Sequence, residues 1–221
     1  MPSAFVALLS ACLFAVTGCA PQSSKSPKER NLSFPEPHAT FVYRCDDGYR
    51  FVARFDDPKA PWLFLPEKTV RARFAGESGE ALRYAVGNGA FLFAKEESAI
   101  RVAGARHNRC RNDRRAAIWE RAKLDGYDFR AVGNEPPWIL LFRGGRATLY
   151  TGYEKRRHLF EGKIRSEKGR SLYEGKGPEG TLRVVLEPGP CSDSMADERY
   201  ETRVTVEWKG RRLRGCGNPL H

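Results

Sequence analysis

The sequence has no apolar run long enough to cross a bilayer. Its one strongly apolar stretch, Ala4 to Val16, holds thirteen residues with Ser10 as the only polar member, whereas a spanning helix needs about 20. That excludes a polytopic membrane protein. Catalytic signatures are missing too. No G-x-S-x-G, H-E-x-x-H or P-loop occurs, and His38, His107, His158 and His221 have no metal-ligand or triad partner at a recognised spacing. Gly175, Gly177 and Gly180 satisfy G-x-G-x-x-G, but Pro178 sits inside it and Thr181 to Val185 reads as a strand. A phosphate site needs a helix N-terminus there, so the segment is a loop entering a strand. Asp46/Asp47, Asp56/Asp57 and Glu96/Glu97 are sequence neighbours, and neighbours on a strand point apart. The chain is therefore read as a non-enzyme. Acidic residues are also scarce: 27 Asp+Glu face 38 Lys+Arg, a net charge of +11.

What remains is globular. At 41% hydrophobic the chain is too apolar for disorder, and 21 Gly with 14 Pro without a period exclude a collagen-like rod. Its 221 residues allow one large or two small domains. The apolar start reads as the core of a secretory signal. It ends in Val16-Thr17-Gly18-Cys19, which resembles the bacterial lipobox, although no basic residue precedes Phe5. The resemblance implies a signal over residues 1–18, a lipid on Cys19 and no other cofactor, then a Pro/Ser/Lys-rich tether over 19–37. Ala20, rather than Asp, after the cysteine implies an outer-membrane anchor facing the periplasm. A pI near 9.6 usually suggests nucleic acid. Export redirects that expectation to anionic envelope partners, with no nucleic acid among them.

Four cysteines remain once Cys12 and Cys19 are set aside: Cys45, Cys110, Cys191 and Cys216. Four allow three pairings. The simplest is Cys45–Cys110 with Cys191–Cys216, because each bridge then closes one compact unit. Zinc is disfavoured, since no C-x-x-C or C-x-x-H pair exists.

Apolar alternation then gives the fold class: all-β, two small antiparallel barrel or sandwich domains joined by a short helix. Tyr49, Phe51, Ala53 and Phe55 alternate with Arg50, Val52 and Arg54, and Val70, Ala72 and Phe74 with Arg71 and Arg73. Asp46-Asp47-Gly48, Asp56-Asp57-Pro58 and Gly87-Asn88-Gly89 mark turns. Asp113 to Leu124 has helix composition, with Asn112 as the expected N-cap, Gly126 as terminator, and Ile118 and Trp119 as anchors. Further strands are predicted over Trp138–Phe142, Ala147–Thr151, Thr181–Glu187 and Thr202–Trp208, with Val204, Val206 and Trp208 inward. The domains run 38–111 and 128–221, with the helical connector over 112–127. Residues 38–111 carry 13 basic and 9 acidic side chains, and residues 128–221 carry 18 and 13. The basicity is spread over the surface.

Tyr43-Arg44-Cys45-Asp46-Asp47-Gly48 with Phe51 and Phe55, then Ser78-Gly79, Tyr84, Gly87-Asn88, Phe93-Ala94-Lys95, Ala99-Ile100 and a closing Cys110 form an ordered set. Over about 70 residues it resembles the membrane-bound inhibitors of c-type lysozyme. The resemblance implies a small disulfide-closed β-barrel whose S-G-x-x-Y loop enters the lysozyme cleft beside an aromatic-T-K-G stretch. Carried over, Ser78, Gly79 and Tyr84 form the first inhibitory motif, and Phe93 and Lys95 the second. Four residues rather than two separate Gly79 from Tyr84, and Ala94 and Glu96 replace the family's Thr and Gly. The expected partner is c-type lysozyme. The alternative is an inhibitor-like envelope module for anionic lipid or another peptidoglycan glycosidase. Phe129 to Trp138, with Cys191-x-Asp193-x-Met195 and Gly215-Cys216, resembles an uncharacterised envelope-lipoprotein family. Asn134, Glu135 and Asp193 are its candidate site residues.

Overall fold

The computed structural model describes Met1 and residues 32–152, 154–193 and 198–221. The expected signal beyond Met1, Cys19, most of the tether, Met195 and the side chain of Asp193 lie outside the described residues.

Nine strands form the first barrel: β1 (Ala39–Arg44), β2 (Arg50–Phe55), β3 (Trp62–Phe64), β4 (Thr69–Arg71), β5 (Arg73–Ser78), β6 (Ala81–Val86), β7 (Gly89–Phe93), β8 (Glu97–Val102) and β9 (Ala105–Asn112). They are antiparallel in the order β4-β3-β2-β1-β9-β8-β7-β6-β5. The sheet nearly closes, because Phe74 donates its backbone N–H to the Lys59 carbonyl at 2.7 Å and Ala72 to that of Pro61 at 2.9 Å. Period-two alternation drives the burial: Phe51, Ala53 and Phe55 point inward, with Phe41, Tyr43, Tyr84, Phe91 and Phe93 across from them. Their rings meet mostly at steep angles, such as Phe41–Phe93 at 5.0 Å and 72°, as the aromatic quadrupole favours. Each buried ring of this size contributes roughly 1.5–3 kcal/mol. Their polar atoms are satisfied. The Tyr43 hydroxyl donates to the Ala94 carbonyl at 3.0 Å and that of Tyr84 to Pro58 at 2.8 Å. Burial pushes both phenol pKa values up. Leu32 and Phe34 also pack on this core, with the Phe34 ring 5.0 Å from Phe74. The folded unit thus begins before His38.

The connector is α1 (Arg114–Leu124). Its N-cap is Asp113, not Asn112: the Asp113 carboxylate accepts the Ala116 N–H at 3.0 Å, while Asn112 ends β9. Gly126, at φ +81, follows the last turn, where Arg121 and Lys123 complement the helix dipole. The buried residues are Ala117 and Ala122. Ala117 meets Val42 and Val52 on the outer face of the sheet. Ile118 is half exposed, contrary to its expected anchoring role, because the small alanines let the helix lie close on its other side. Trp119 does pack, 5.7 Å from the Tyr200 ring and under the Arg130 guanidinium at 5.3 Å.

The second barrel is a closed antiparallel meander: β10 (Phe129–Asn134), β11 (Pro137–Arg143), β12 (Arg146–Thr151), β13 (Arg156–Glu167), β14 (Arg170–Gly177), β15 (Gly180–Asp193), β16 (Glu198–Trp208) and β17 (Arg211–Pro219). Pairing of Val132 with Cys216 and of Phe129 with Pro219 returns the last strand to the first. Closure removes the unpaired edges that invite aggregation. Val204 and Val206 are buried, and Trp208 packs against them. The glycine motif forms the β14–β15 hairpin, with Gly177 opposite Gly180. Gly133 and Gly215 make room for Trp138. A Cβ on Gly133 would sit 2.2 Å from the indole Nε1, and one on Gly215 would sit 2.0 Å from the Val132 carbonyl oxygen. Both expected disulfides are formed, Cys45–Cys110 in the first barrel and Cys191–Cys216 in the second.

Candidate functional site

One end of the first barrel presents Ser78, Gly79 and Lys95, three of the five residues singled out by the inhibitor resemblance. β5 and β6 are joined by Gly79-Glu80, with Ser78 opposite Ala81. Gly79 has φ +60, a value glycine adopts at little cost in a two-residue hairpin. Leu82 pairs with Phe93, so β7 ends beside this tip and leads into the 94–96 turn. Ser78, Gly79 and Lys95 are all exposed there. The turn is held from beneath. The Ala94 carbonyl accepts from the Tyr43 hydroxyl and from Ser98 Oγ, both at 3.0 Å. Glu96 is tied to Arg114 at 2.7 Å.

The β1–β2 loop and the Cys45–Cys110 bridge lie at the same end, as the register Arg44↔Arg111 and Glu97↔Arg111 requires. Charges there are mixed and paired. Asp46 meets Arg109 at 2.6 Å, and Asp47 meets His107 at 2.7 Å. The Tyr49 ring stacks on His107 at 3.7 Å. The His107 hydrogen bond, then the Tyr49 N–H, hold the Asp47 carboxyl below its usual range. Burial and the Glu67 charge push the Tyr49 phenol up to about 12. The basic excess of the whole chain is therefore not concentrated at this end.

Two of the expected contact residues are elsewhere. Tyr84 and Phe93 point into the core, at 0% and 6% exposure, because their strand positions share parity with Leu82 and Phe91. They support the tip and the turn and do not face a partner. Glu80 takes a place at the tip itself, next to Ser78 and Gly79.

In the second barrel, Asn134 ends β10 and Glu135 begins the hairpin to β11. Both line an outer groove with Cys191, Ser192 and Arg203, beside the disulfide. Asp193 ends β15 opposite Glu198. Two further clusters carry no local sequence signal. Arg143, Arg146, Arg157 and Lys176 line one outer cleft with Leu159 and with Glu161, which meets Arg146 at 3.0 Å. His158, Glu179, Trp208 and Lys209 meet at the barrel mouth. The residues of each cluster come from several strands, and only the barrel's register joins them. No protein-family model, curated protein or solved structure matches the chain.

Proposed function

We propose that the protein is an outer-membrane lipoprotein, anchored through Cys19, whose first barrel inhibits a c-type lysozyme by inserting its 78–81 tip and 94–96 turn into the enzyme's cleft. The observation that carries this reading is the register Leu82↔Phe93, which sets exposed Ser78 and Lys95 on adjacent turns at one barrel end. Lysozyme-type glycosidases work with two carboxyl groups flanking the sugar bond. A hydroxyl donor and an ammonium delivered between them form charge-assisted hydrogen bonds and exclude substrate. The Cys45–Cys110 disulfide at the same barrel end stiffens that end, and a pre-organised loop loses less entropy on binding. Two disulfides also suit an oxidising compartment. The test is a turbidity assay: the protein slows clearing of a peptidoglycan suspension by hen-type lysozyme, and unchanged clearing with inhibitor in excess refutes the reading.

A second reading, an envelope module for anionic lipid or another peptidoglycan glycosidase, is favoured by the cleft of Arg143, Arg146, Arg157 and Lys176. It requires binding to anionic vesicles that weakens steeply with salt and ignores Ser78.

A further inference from the structure

The mouth of the second barrel is built differently from a capped core. Four hairpins surround it, and their turns bring together side chains far apart in sequence. His158 is 7% exposed. Its Nδ1 lies 2.5 Å from Glu179 Oε1, and its Nε2 faces the Thr151 hydroxyl at 3.2 Å. The other Glu179 oxygen accepts from Lys209 Nζ, also at 2.5 Å. The Lys209 ammonium lies 4.5 Å from the Trp208 ring, and the His158 ring 4.4 Å from it. These contacts engage the one carboxylate that lines the cleft among the described residues.

Trp138, 3% exposed, and Trp208 both line the cleft. Their indole nitrogens are covered, that of Trp138 by Gly133, so both offer the cleft ring faces. Arg156, Arg157 and Arg211 line the same cleft. The site offers hydrogen-bond donors, positive charge and two aromatic faces, and its one carboxylate is already engaged. Barrel mouths are a common place for small ligands.

We infer that this mouth binds a small organic anion with a flat or apolar body, its acid group facing the arginines and its body lying against Trp138 and Trp208. A cation is repelled by the rim, and a purely apolar molecule leaves the arginines without a counter-charge. The inference is independent of the inhibitor reading, which concerns the other barrel.

The test uses a matched pair of probes with the full chain: anilinonaphthalene sulfonate, and N-phenylnaphthylamine, which has the same rings without the acid. Binding is read by energy transfer from tryptophan. The sulfonate binds at least about tenfold more tightly, since one charge-assisted hydrogen bond suffices for that ratio. Arg156→Ala and Arg211→Ala each remove an exposed charge from the cleft and leave the tryptophans in place. Each weakens the sulfonate by about tenfold on the same arithmetic, leaves the neutral probe unchanged, and melts like the parent. Arg165→Ala, on the exposed outer wall, changes neither. Equal affinity for the two probes, or sulfonate binding indifferent to both Arg156 and Arg211, overturns the proposal.

Discussion

The two barrels solve the problem of polar groups in opposite places. In the first, the buried hydroxyls of Tyr43 and Tyr84 reach carbonyl oxygens inside the fold. The residues available to a partner stand outside it, on the 78–81 tip and the 94–96 turn. In the second, Trp138 and Trp208 line the mouth, while His158 and Glu179 engage each other. Paired hydroxyls inside leave the first barrel its loops to present, whereas the second gathers cations and ring faces at its mouth. The seams differ as well: the first sheet is joined across β5 by bonds to the 59–61 segment, and the second closes strand to strand.

That contrast can be broken first at the cores. Phe91→Ala in the first barrel and Phe160→Ala in the second each remove a side chain at most 1% exposed, and each should cost about 3–5 kcal/mol. Urea unfolding measures both. A loss well under that range in one barrel marks a core that collapses around the gap. Reduction of the disulfides comes next. The Cys45–Cys110 bridge spans 65 residues and the Cys191–Cys216 bridge 25. In the chain-entropy account their removal costs about 4 and about 3.5 kcal/mol. Cys→Ala pairs, made one bridge at a time, should therefore lower the melting temperature in that order.

Arg54 gives a smaller effect. It is 6% exposed and ties Asp56 at 2.7 Å to Asp125 at the end of α1, also at 2.7 Å. Arg54→Met should cost about 1–3 kcal/mol. The same cluster sets a pH dependence. Burial alone would raise the Asp56 carboxyl, but hydrogen bonds from Arg54 and His38 outweigh it and hold the value below 3.8. A depressed carboxylate stabilises the fold above its unfolded value, and that contribution disappears as pH falls through the folded one. The parent should lose stability in acid below about pH 4, and Arg54→Met should lose less over the same range. Equal acid slopes would show that Asp56 is not coupled to Arg54.

The general plan was legible in the sequence, since alternation around Phe51 and Phe55 and the spacing of four cysteines are local signals. The exceptions have physical causes. Val52 and Arg54 read as outward and polar-side positions, yet α1 covers them, and no strand pattern reports a helix laid across its outer face. Asp113 took the cap because Asn112 was already paired in the sheet with Tyr43. Tyr84 and Phe93 matched a binding motif by residue type, but parity along β6 and β7 sends them inward. The mouth cluster of His158, Glu179 and Trp208 could not be read at all, because it forms only when β13, the β14–β15 turn and β16 come together.

The smallest structural effect belongs to the tip. Ser78→Tyr with Lys95→Glu alters only exposed positions, so stability should change by less than about 0.5 kcal/mol for each. This variant also tests the central claim most directly. Titrated calorimetrically into a c-type lysozyme beside the parent and Arg211→Ala, it should lose binding while Arg211→Ala retains it in full. Undiminished binding by the Ser78 and Lys95 variant, or no binding by the parent, would contradict the account.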